Sequence, residues 1–214
     1  MRRVFLSFFV AFSFFRFDRE STLPPQAGNA SRWAVDENNS KKMGAMVVLN
    51  CFPKNKDRFL RLIEFFKEVL DICNDLGILP VLIGSLAVFA YTENEEMNVN
   101  DIDLACSESE FPKIISRLEE RSISYKLKEW HVIQILKGDL KVELDSIEYW
   151  YKDLSMICET LQIDNHKIKM LGLQSLREFY RQGMIDRADK IEENEKIKYE
   201  TLKRKYEALE KVKD

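Results

Sequence analysis

The chain has 214 residues, of which 45% are hydrophobic and 32% are charged. This length allows one domain with a substantial core and a helical appendage, but it is short for a two-domain enzyme. The 33 Lys and Arg residues nearly balance the 36 Asp and Glu residues, and the net charge of -3 excludes a globally basic nucleic-acid-binding protein.

The cysteine and histidine content bears on metal binding and on compartment. Four scattered cysteines and only two histidines exclude a Cys/His zinc module of ordinary spacing. Two of the cysteines, Cys73 and Cys106, lie in apolar runs, which is typical of buried thiols in a reducing compartment. We therefore expect a cytoplasmic protein without disulfides.

The first 45 residues differ in composition from the rest of the chain. They open with a Phe-rich apolar run that is as long as a signal-peptide core and too short to span a bilayer. A polar stretch with the only Pro-Pro pair follows and has no regular period. Residues 1–45 are thus interpreted as a disordered extension, as a signal or anchor, or as residues upstream of a start at Met43 or Met46.

Regular patterns begin near residue 55. Apolar residues at three- and four-residue spacing predict a helix from Asp57 to Gly77, and the run ILPVLIG predicts a buried strand after it. A short helix is expected over residues 85–91, a strand over 101–106 and a helix over 111–121. Three strands follow, over SISYKL, WHVIQIL and LKVELDSI, with a turn at Gly138-Asp139 between the last two.

The last part of the chain is predicted to be mostly helical. Residues 167–173 form a short strand or a crossing loop, and helices are expected over 174–182 and 186–212. The pattern as a whole predicts an α/β (α+β) fold with a mixed sheet, flanking helices and a C-terminal helical tail. We expect the core to span residues 46–170 and the tail to span 171–214.

The first candidate for chemistry is the turn at Gly84-Ser85, where a predicted strand gives way to a helix. The free N–H groups of a helix N-terminus are suited to bind a phosphate. The same dipeptide is also common for conformational reasons alone. The chain contains neither a P-loop motif nor a dinucleotide-binding glycine motif, so any phosphate site here is of another kind.

The second candidate is the pair Asp101 and Asp103. Residues two apart on a strand project to the same side, while Ile102 and Leu104 enter the opposite face. Two such carboxylates repel each other unless a cation lies between them. Oxygen ligands favour a hard ion such as Mg²⁺ or Mn²⁺. Solvated acids at an exposed strand end are the alternative interpretation.

The third candidate favours the metal interpretation. The run KVELDSI places Glu143 and Asp145 together on one face of a later strand. If that strand lies beside the one carrying Asp101 and Asp103, a third carboxylate joins the pair. Two acids and a third on a neighbouring strand match the requirements of a two-metal phosphoryl-transfer site.

The strings IGSLAVFAY, NDIDLA and KVELDSI together resemble minimal nucleotidyltransferases of the DNA polymerase β-like superfamily. Their pattern is a hydrophobic-Gly-Ser turn, a DxD strand and a third acid on a neighbouring strand, and the similarity covers roughly residues 56–210. The resemblance implies a nucleotidyltransferase fold. Carried over by position, Gly84 and Ser85 would bind the nucleotide phosphates, and the catalytic metal ligands would be Asp101, Asp103 and Glu143, with Asp145 in reserve.

Many relatives have Asp where this chain has Glu143, which is a mild departure from the pattern. Phosphate charge also requires cations. Lys137 and Lys141 flank the turn before the third acid. Arg187 and Lys190 lie at i and i+3 on the predicted tail helix, where we expect them to bind the nucleotide.

The resemblance further implies a reaction. A nucleoside monophosphate would pass from ATP or another NTP to an acceptor hydroxyl with release of pyrophosphate, supported by Mg²⁺ or Mn²⁺. The negative net charge favours a small-molecule or protein acceptor over RNA, and no membrane partner is expected. The alternative is a catalytically inactive protein of the same fold that acts as an antitoxin-like binding partner. The oligomeric state stays open.

Overall fold

The computed structural model describes residues 46–49, 51–151, 156–188 and 192–213. The interpretations of residues 1–45 and the role predicted for Lys190 lie outside the described residues. Among the helices of the described ranges, none combines the length and the hydrophobicity needed to cross a membrane.

One mixed β-sheet forms the centre of this part of the chain. Its strands are β1 (Met46–Val48), β2 (Val81–Ile83), β3 (Ile102–Cys106), β4 (Ser124–Lys128), β5 (Val132–Lys137), β6 (Leu140–Ser146), β7 (Cys158–Ile163) and β8 (His166–Leu171). They lie in the order β1-β7-β8-β2-β3-β6-β5-β4. At the centre of the sheet, β3 is antiparallel to β2 and parallel to β6.

Six α-helices accompany the sheet in the described ranges: α1 (Lys56–Asp75), α2 (Gly84–Thr92), α3 (Phe111–Glu120), α4 (Ile147–Trp150), α5 (Leu173–Ile185) and α6 (Glu193–Glu210). Helix α2 packs on β2 and β3, and α6 packs on both α2 and α5. The predicted α/β (α+β) class, with a mixed sheet, flanking helices and a helical tail, is confirmed.

Alternation of side chains is clearest on β6. Leu140, Val142, Leu144 and Ser146 are buried, whereas the three residues between them, Lys141, Glu143 and Asp145, are partly exposed. Burial of the apolar set in the core fixes the register of this strand, because a slip by one residue would reverse its faces. The register of β6 in turn fixes the direction of its charged side chains.

The structure differs from the predicted elements most clearly in strands β7 and β1 and in the last helix. Strand β7 was not predicted, since CETLQI mixes polar and apolar residues and gives only a weak signal; it pairs with β8 through a tight turn in which Asp164 has a φ of +49°. The N-terminal strand β1 was also missed. The last predicted helix, over 186–212, begins only at Glu193, where Glu193 and Glu195 supply the acidic first turn that favours a helix start.

Candidate active site

Strand pairing brings three acids together. Asp103 of β3 is the register partner of Glu143 on β6, and Asp101 lies just before β3. One carboxylate oxygen from each of the three acids lies within 4.8 Å of the others. Strands β3 and β6 are therefore neighbours, which was the condition for Glu143 to join the two aspartates.

Gly84 lies directly against this acid group. Ile83, the last residue of β2, is the register partner of Asp103, and Gly84 follows Ile83 directly. Gly84 has a φ of +68°, and a Cβ atom built on it would lie 1.9 Å from Asp103 Oδ2. Only glycine therefore allows the backbone at the start of α2 to approach the carboxylate this closely.

The donor set fits a hard divalent cation. Three carboxylates converge, all from partly exposed residues, so that solvent and substrate can complete a coordination shell. Side chains of Cys or His, which would favour zinc, are not part of this group. Asp101, Asp103 and Glu143 could hold such an ion, and they are the three acids named from the sequence.

A lysine and a glutamine orient two of these acids. Lys141 Nζ lies 3.0 Å from Asp101 Oδ2 and 3.2 Å from Glu143 Oε1, and so bridges the two carboxylates. Gln134 of β5 donates a hydrogen bond from Nε2 to Glu143 Oε1. Burial acts to lower the pKa of Lys141, but its contacts with Asp101 and Glu143 outweigh this and raise it, so the ammonium stays charged.

Electrostatic crowding is greatest at Asp103. Burial first, and the charge of Asp101 second, raise the pKa of Asp103 well above its usual range, while Lys205 opposes the shift. An uncompensated acid of this kind is common in binding sites, where a ligand supplies the missing positive charge.

The reserve candidate, Asp145, is engaged by another residue. Tyr151 donates a hydrogen bond of 2.7 Å from Oη to Asp145 Oδ2. Burial raises the pKa of Asp145 to about 6, although the bond from Tyr151 opposes this. Asp145 lies beside the site as an additional negative charge and is not among the three acids whose oxygens converge.

The start of α2 is placed one residue earlier than predicted. The helix begins at Gly84 after the N-cap residue Ile83, which makes no side-chain capping hydrogen bond, and Ser85 is its second residue and is buried. The first-turn N–H groups of a helix have no partner within the helix itself. These N–H groups therefore lie close to Asp103, against which Gly84 is packed.

Two of the cations named from the sequence are held by other partners. Arg187 lies in the turn after α5, where Nη1 donates to Gly183 O at 3.0 Å and Nε lies 3.2 Å from Glu195 Oε2. Lys137 forms an ion pair of 2.6 Å with Glu68. Arg187 was predicted to lie on the helix over 186–212; because that helix begins only at Glu193, Arg187 follows the end of α5 and its side chain instead joins the two tail helices.

Two residues of the helical tail were missed. Lys205 of α6 lies close enough to Asp103 and Asp101 for their charges to affect its pKa, and the charges of the same acids also act on Tyr180, a buried residue of α5. The signal for Lys205 was present in the sequence. It falls three residues after Leu202 and four before Leu209, so it occupies the apolar stripe by which the helix packs.

The comparisons with known proteins give structural matches only. No protein-family model matches the chain, and no curated protein matches its sequence. The solved structure of the antibiotic-resistance factor ANT(2'')-Ia is 12% identical over 71% of this chain and 90% of its own, with a TM-score of 0.49.

Two further structures have similar scores. Lincosamide antibiotic adenylyltransferase LnuA, solved with lincomycin bound, is 11% identical over 69% of this chain and 96% of its own, with a TM-score of 0.46. An antigenic nucleotidyltransferase-like protein from Paracoccidioides brasiliensis is 12% identical over 66% and 72%, with a TM-score of 0.45. The last two names are those of an adenylyltransferase and of a nucleotidyltransferase-like protein, but at such identities and scores the chemistry of this chain has to be inferred from its own site.

Proposed function

We propose that this protein is a metal-dependent nucleotidyltransferase, which transfers a nucleoside monophosphate from an NTP to an acceptor hydroxyl and releases pyrophosphate. One observation carries the proposal. Carboxylate oxygens of Asp101, Asp103 and Glu143 converge within 4.8 Å, directly beside the glycine that begins α2. A cation site and a helix N-terminus at one place provide for both the metal and the phosphate groups of such a substrate.

The roles of the residues follow from their positions. Asp101, Asp103 and Glu143 would hold Mg²⁺ or Mn²⁺, which when bound supplies positive charge to the triphosphate and lowers the pKa of the attacking hydroxyl. Gly84 and Ser85 would present backbone N–H groups to the phosphates. Gln134 keeps the Glu143 carboxylate oriented towards the other two acids. Catalysis of this kind depends on positioning and electrostatics, without a covalent enzyme intermediate.

We propose a small molecule or a protein as the acceptor, in preference to RNA. The chain carries an overall charge of -3. Polynucleotide binding draws most of its affinity from contacts between basic side chains and phosphates. The four carboxylates around the site, counting Asp145 with the three converging acids, would repel a polyanionic acceptor more strongly than a neutral or cationic one.

Binding of all four NTPs to the full chain, measured by calorimetry with Mg²⁺ or Mn²⁺ and with EDTA, tests the proposal. We expect metal-dependent binding of at least one NTP. The variant Asp101→Asn/Asp103→Asn should abolish it, whereas the matched control Asp57→Asn, on the exposed first turn of α1, should bind as the wild type does. Absence of binding for every NTP would contradict the proposal and favour the inactive binding protein.

Turnover is tested separately with NTP labelled at the α-phosphate. The labelled nucleotide should be transferred to a component of a small-molecule or protein pool, together with release of pyrophosphate, and only with the acids intact. Labelled product formed equally by Asp101→Asn/Asp103→Asn would contradict the assigned site.

A further inference from the structure

The last helix of the described chain packs on the helix that begins at the candidate site. Helix α6 packs on α2, the helix that begins at Gly84. Its C-terminal end is anchored by Arg177 of α5, whose Nη2 donates to Leu209 O at 3.0 Å and to Val212 O at 2.7 Å. Leu209 itself is fully buried. These contacts fix the rotation of α6 and therefore the direction of the side chains on its packed face.

Lys205 is the basic residue of that packed face. It is partly buried between Leu202 and Leu209, whereas its neighbours Lys203 and Arg204 are exposed. Its Nζ atom lies 5.5 Å from the centroid of the Tyr180 ring. Burial lowers the pKa of Lys205, while Asp103 and Asp101 act to raise it, so the ammonium group lies within the field of the acid site.

Lys205 differs from Lys141 in having no ion-pair partner among the residues that the structure describes. Lys141 bridges two of the acids at 3.0 and 3.2 Å. A lysine whose role was to neutralise the acids would be expected to contact them in this way. Lys205 faces the same charges from α6 without such a contact, which leaves its ammonium group available to an anionic ligand.

The hydroxyl of Tyr180 is the independent second observation. Tyr180 is 1% exposed, and its Oη atom has no hydrogen-bond partner in the described part of the chain. A buried polar group without a partner is unfavourable and indicates that something else satisfies it. Burial first, and then Asp103 and Asp101, hold the pKa of Tyr180 well above its usual range, so the hydroxyl remains a protonated donor.

We infer that Lys205 and Tyr180 form the anion-binding side of the site and hold the phosphate chain of the NTP opposite Asp101, Asp103 and Glu143. This inference rests on the proposed function and names residues that the sequence did not indicate for this role. An ammonium and a hydroxyl donor on two packed helices match the oxygen-rich, negatively charged phosphate chain. The helical tail is thereby part of the nucleotide site.

Calorimetric titration of the full chain with Mg²⁺ and an NTP, its diphosphate and its monophosphate tests the inference. Lys205→Met should weaken NTP binding at least about tenfold and monophosphate binding much less, because a charged hydrogen bond to the distal phosphates is lost. Lys205→Arg should restore most of the affinity. The matched control, Lys203→Met on the exposed side of α6, should bind all three as the wild type does.

Tyr180→Phe provides a second variant that does not depend on the folding of Lys205→Met. It should weaken NTP binding about threefold without lowering the thermal unfolding midpoint, since it removes a buried hydroxyl that has no described partner. NTP binding by Lys205→Met that equals binding by Lys203→Met would overturn the inference, as would an equal loss for NTP and monophosphate. A wild-type protein that binds no NTP would overturn the proposed function, and the inference with it.

Discussion

Strands β3 and β6 carry two polar clusters, and the two are opposite in character. Towards the start of β3, Asp101, Asp103 and Glu143 crowd together, and the pKa of Asp103 is raised. Where the same strands end, Glu108 and Glu148 accept hydrogen bonds from neighbouring serines and a histidine. We call the first group the acid site and the second, formed by Ser107, Glu108, His131, Ser146 and Glu148, the capped cluster.

In the capped cluster the carboxylates are satisfied within the protein. Glu148 accepts from Ser107 Oγ at 2.5 Å and from the Glu108 backbone N–H at 2.9 Å. His131 Nδ1 lies 2.7 Å from Glu108 Oε1, and its ring stacks on Tyr149 at 4.3 Å. Burial acts to raise the pKa of Glu148, but the hydrogen bonds from Ser107 and Glu108 outweigh it and lower the pKa.

The two clusters differ in whether they serve the stability of the fold or the binding of a ligand. The capped cluster closes the ends of two strands and needs no ligand, so we expect it to stabilise the fold. The acid site leaves negative charge uncompensated, at the expense of stability, and this is expected where a ligand completes the structure. Four variants, taken in order of decreasing effect, test this contrast.

Gly84→Ala should have the largest effect. The added Cβ would lie 1.9 Å from Asp103 Oδ2 at a φ of +68°, so we expect the free energy of unfolding to fall by about 3 kcal/mol and metal-dependent NTP binding to be lost. Gly77→Ala is the control, because Gly77 has a φ of +70° but nothing within 4 Å of its Cβ position; it should cost about 1 kcal/mol and leave binding intact. Urea unfolding and calorimetry measure both, and NTP binding by Gly84→Ala at wild-type affinity would contradict the site geometry.

Glu148→Gln should lower the free energy of unfolding by about 2 kcal/mol, because an amide cannot accept all the donors that converge on this carboxylate. NTP and metal affinities should stay within about twofold of the wild type. Urea unfolding and calorimetry together check the variant. A large loss of NTP affinity with unchanged stability would reverse the roles assigned to the two clusters.

Asp103→Asn should raise the free energy of unfolding of the metal-free protein, in contrast to the two preceding variants. Burial, with Asp101, raises the pKa of Asp103 to about 7, above its unfolded value of about 3.9, so the folded state binds this proton more strongly than the unfolded state. The stability that the proton contributes is present at low pH and is lost as the pH rises through about 7. We therefore expect a gain of at least about 1 kcal/mol, or roughly 2–4 °C in the unfolding midpoint, at pH 8.

The pH dependence of this gain in stability identifies its cause. The gain should shrink as the pH falls from 8 to 5, since wild-type Asp103 then becomes protonated and is also uncharged. Thermal unfolding with EDTA, repeated across this range, measures it. A gain that does not change with pH, or a loss of stability at pH 8, would show that Asp103 is not the crowded acid described above.

Arg187→Met should have the smallest effect. Its guanidinium is held by Gly183 O and Glu195 at the junction of the tail helices, so NTP affinity should change less than about twofold and the free energy of unfolding by less than about 1 kcal/mol. Calorimetry beside Lys205→Met makes the comparison direct. A tenfold loss of NTP affinity in Arg187→Met would support the role predicted from the sequence.

The sequence contained most of the information about the central strands. The alternation in DIDL and KVELD determines which residues share a face, and the buried Val142 and Leu144 fix that register in the structure. The proximity of Asp103 to Glu143 could be predicted only on the assumption that their strands are neighbours, because no local sequence pattern indicates which strands pair. Parallel pairing of β3 and β6 depends on contacts far apart in the chain.

The helical tail could not be read as reliably from the sequence. Spacing placed Arg187 and Lys190 on one face of a single helix, but the chain turns after Ile185 and a second helix begins at Glu193. Lys205 reaches the site because α6 packs back on α2, which is a tertiary contact. A lysine inside an apolar stripe was nevertheless a visible signal that this residue is not on an ordinary solvated face.

Binding of Mn²⁺ with and without NTP, followed by electron paramagnetic resonance, is the sharpest test of metal binding by the acid site. The full chain would be compared with Asp101→Asn/Asp103→Asn in the acid site and Glu108→Gln/Glu148→Gln in the capped cluster. We expect NTP to tighten Mn²⁺ binding in the wild type and in the capped-cluster variant, and the Mn²⁺ affinity of the acid-site variant to be lower by at least about a hundredfold. Unchanged Mn²⁺ binding in Asp101→Asn/Asp103→Asn would rule out the acid site as the metal site.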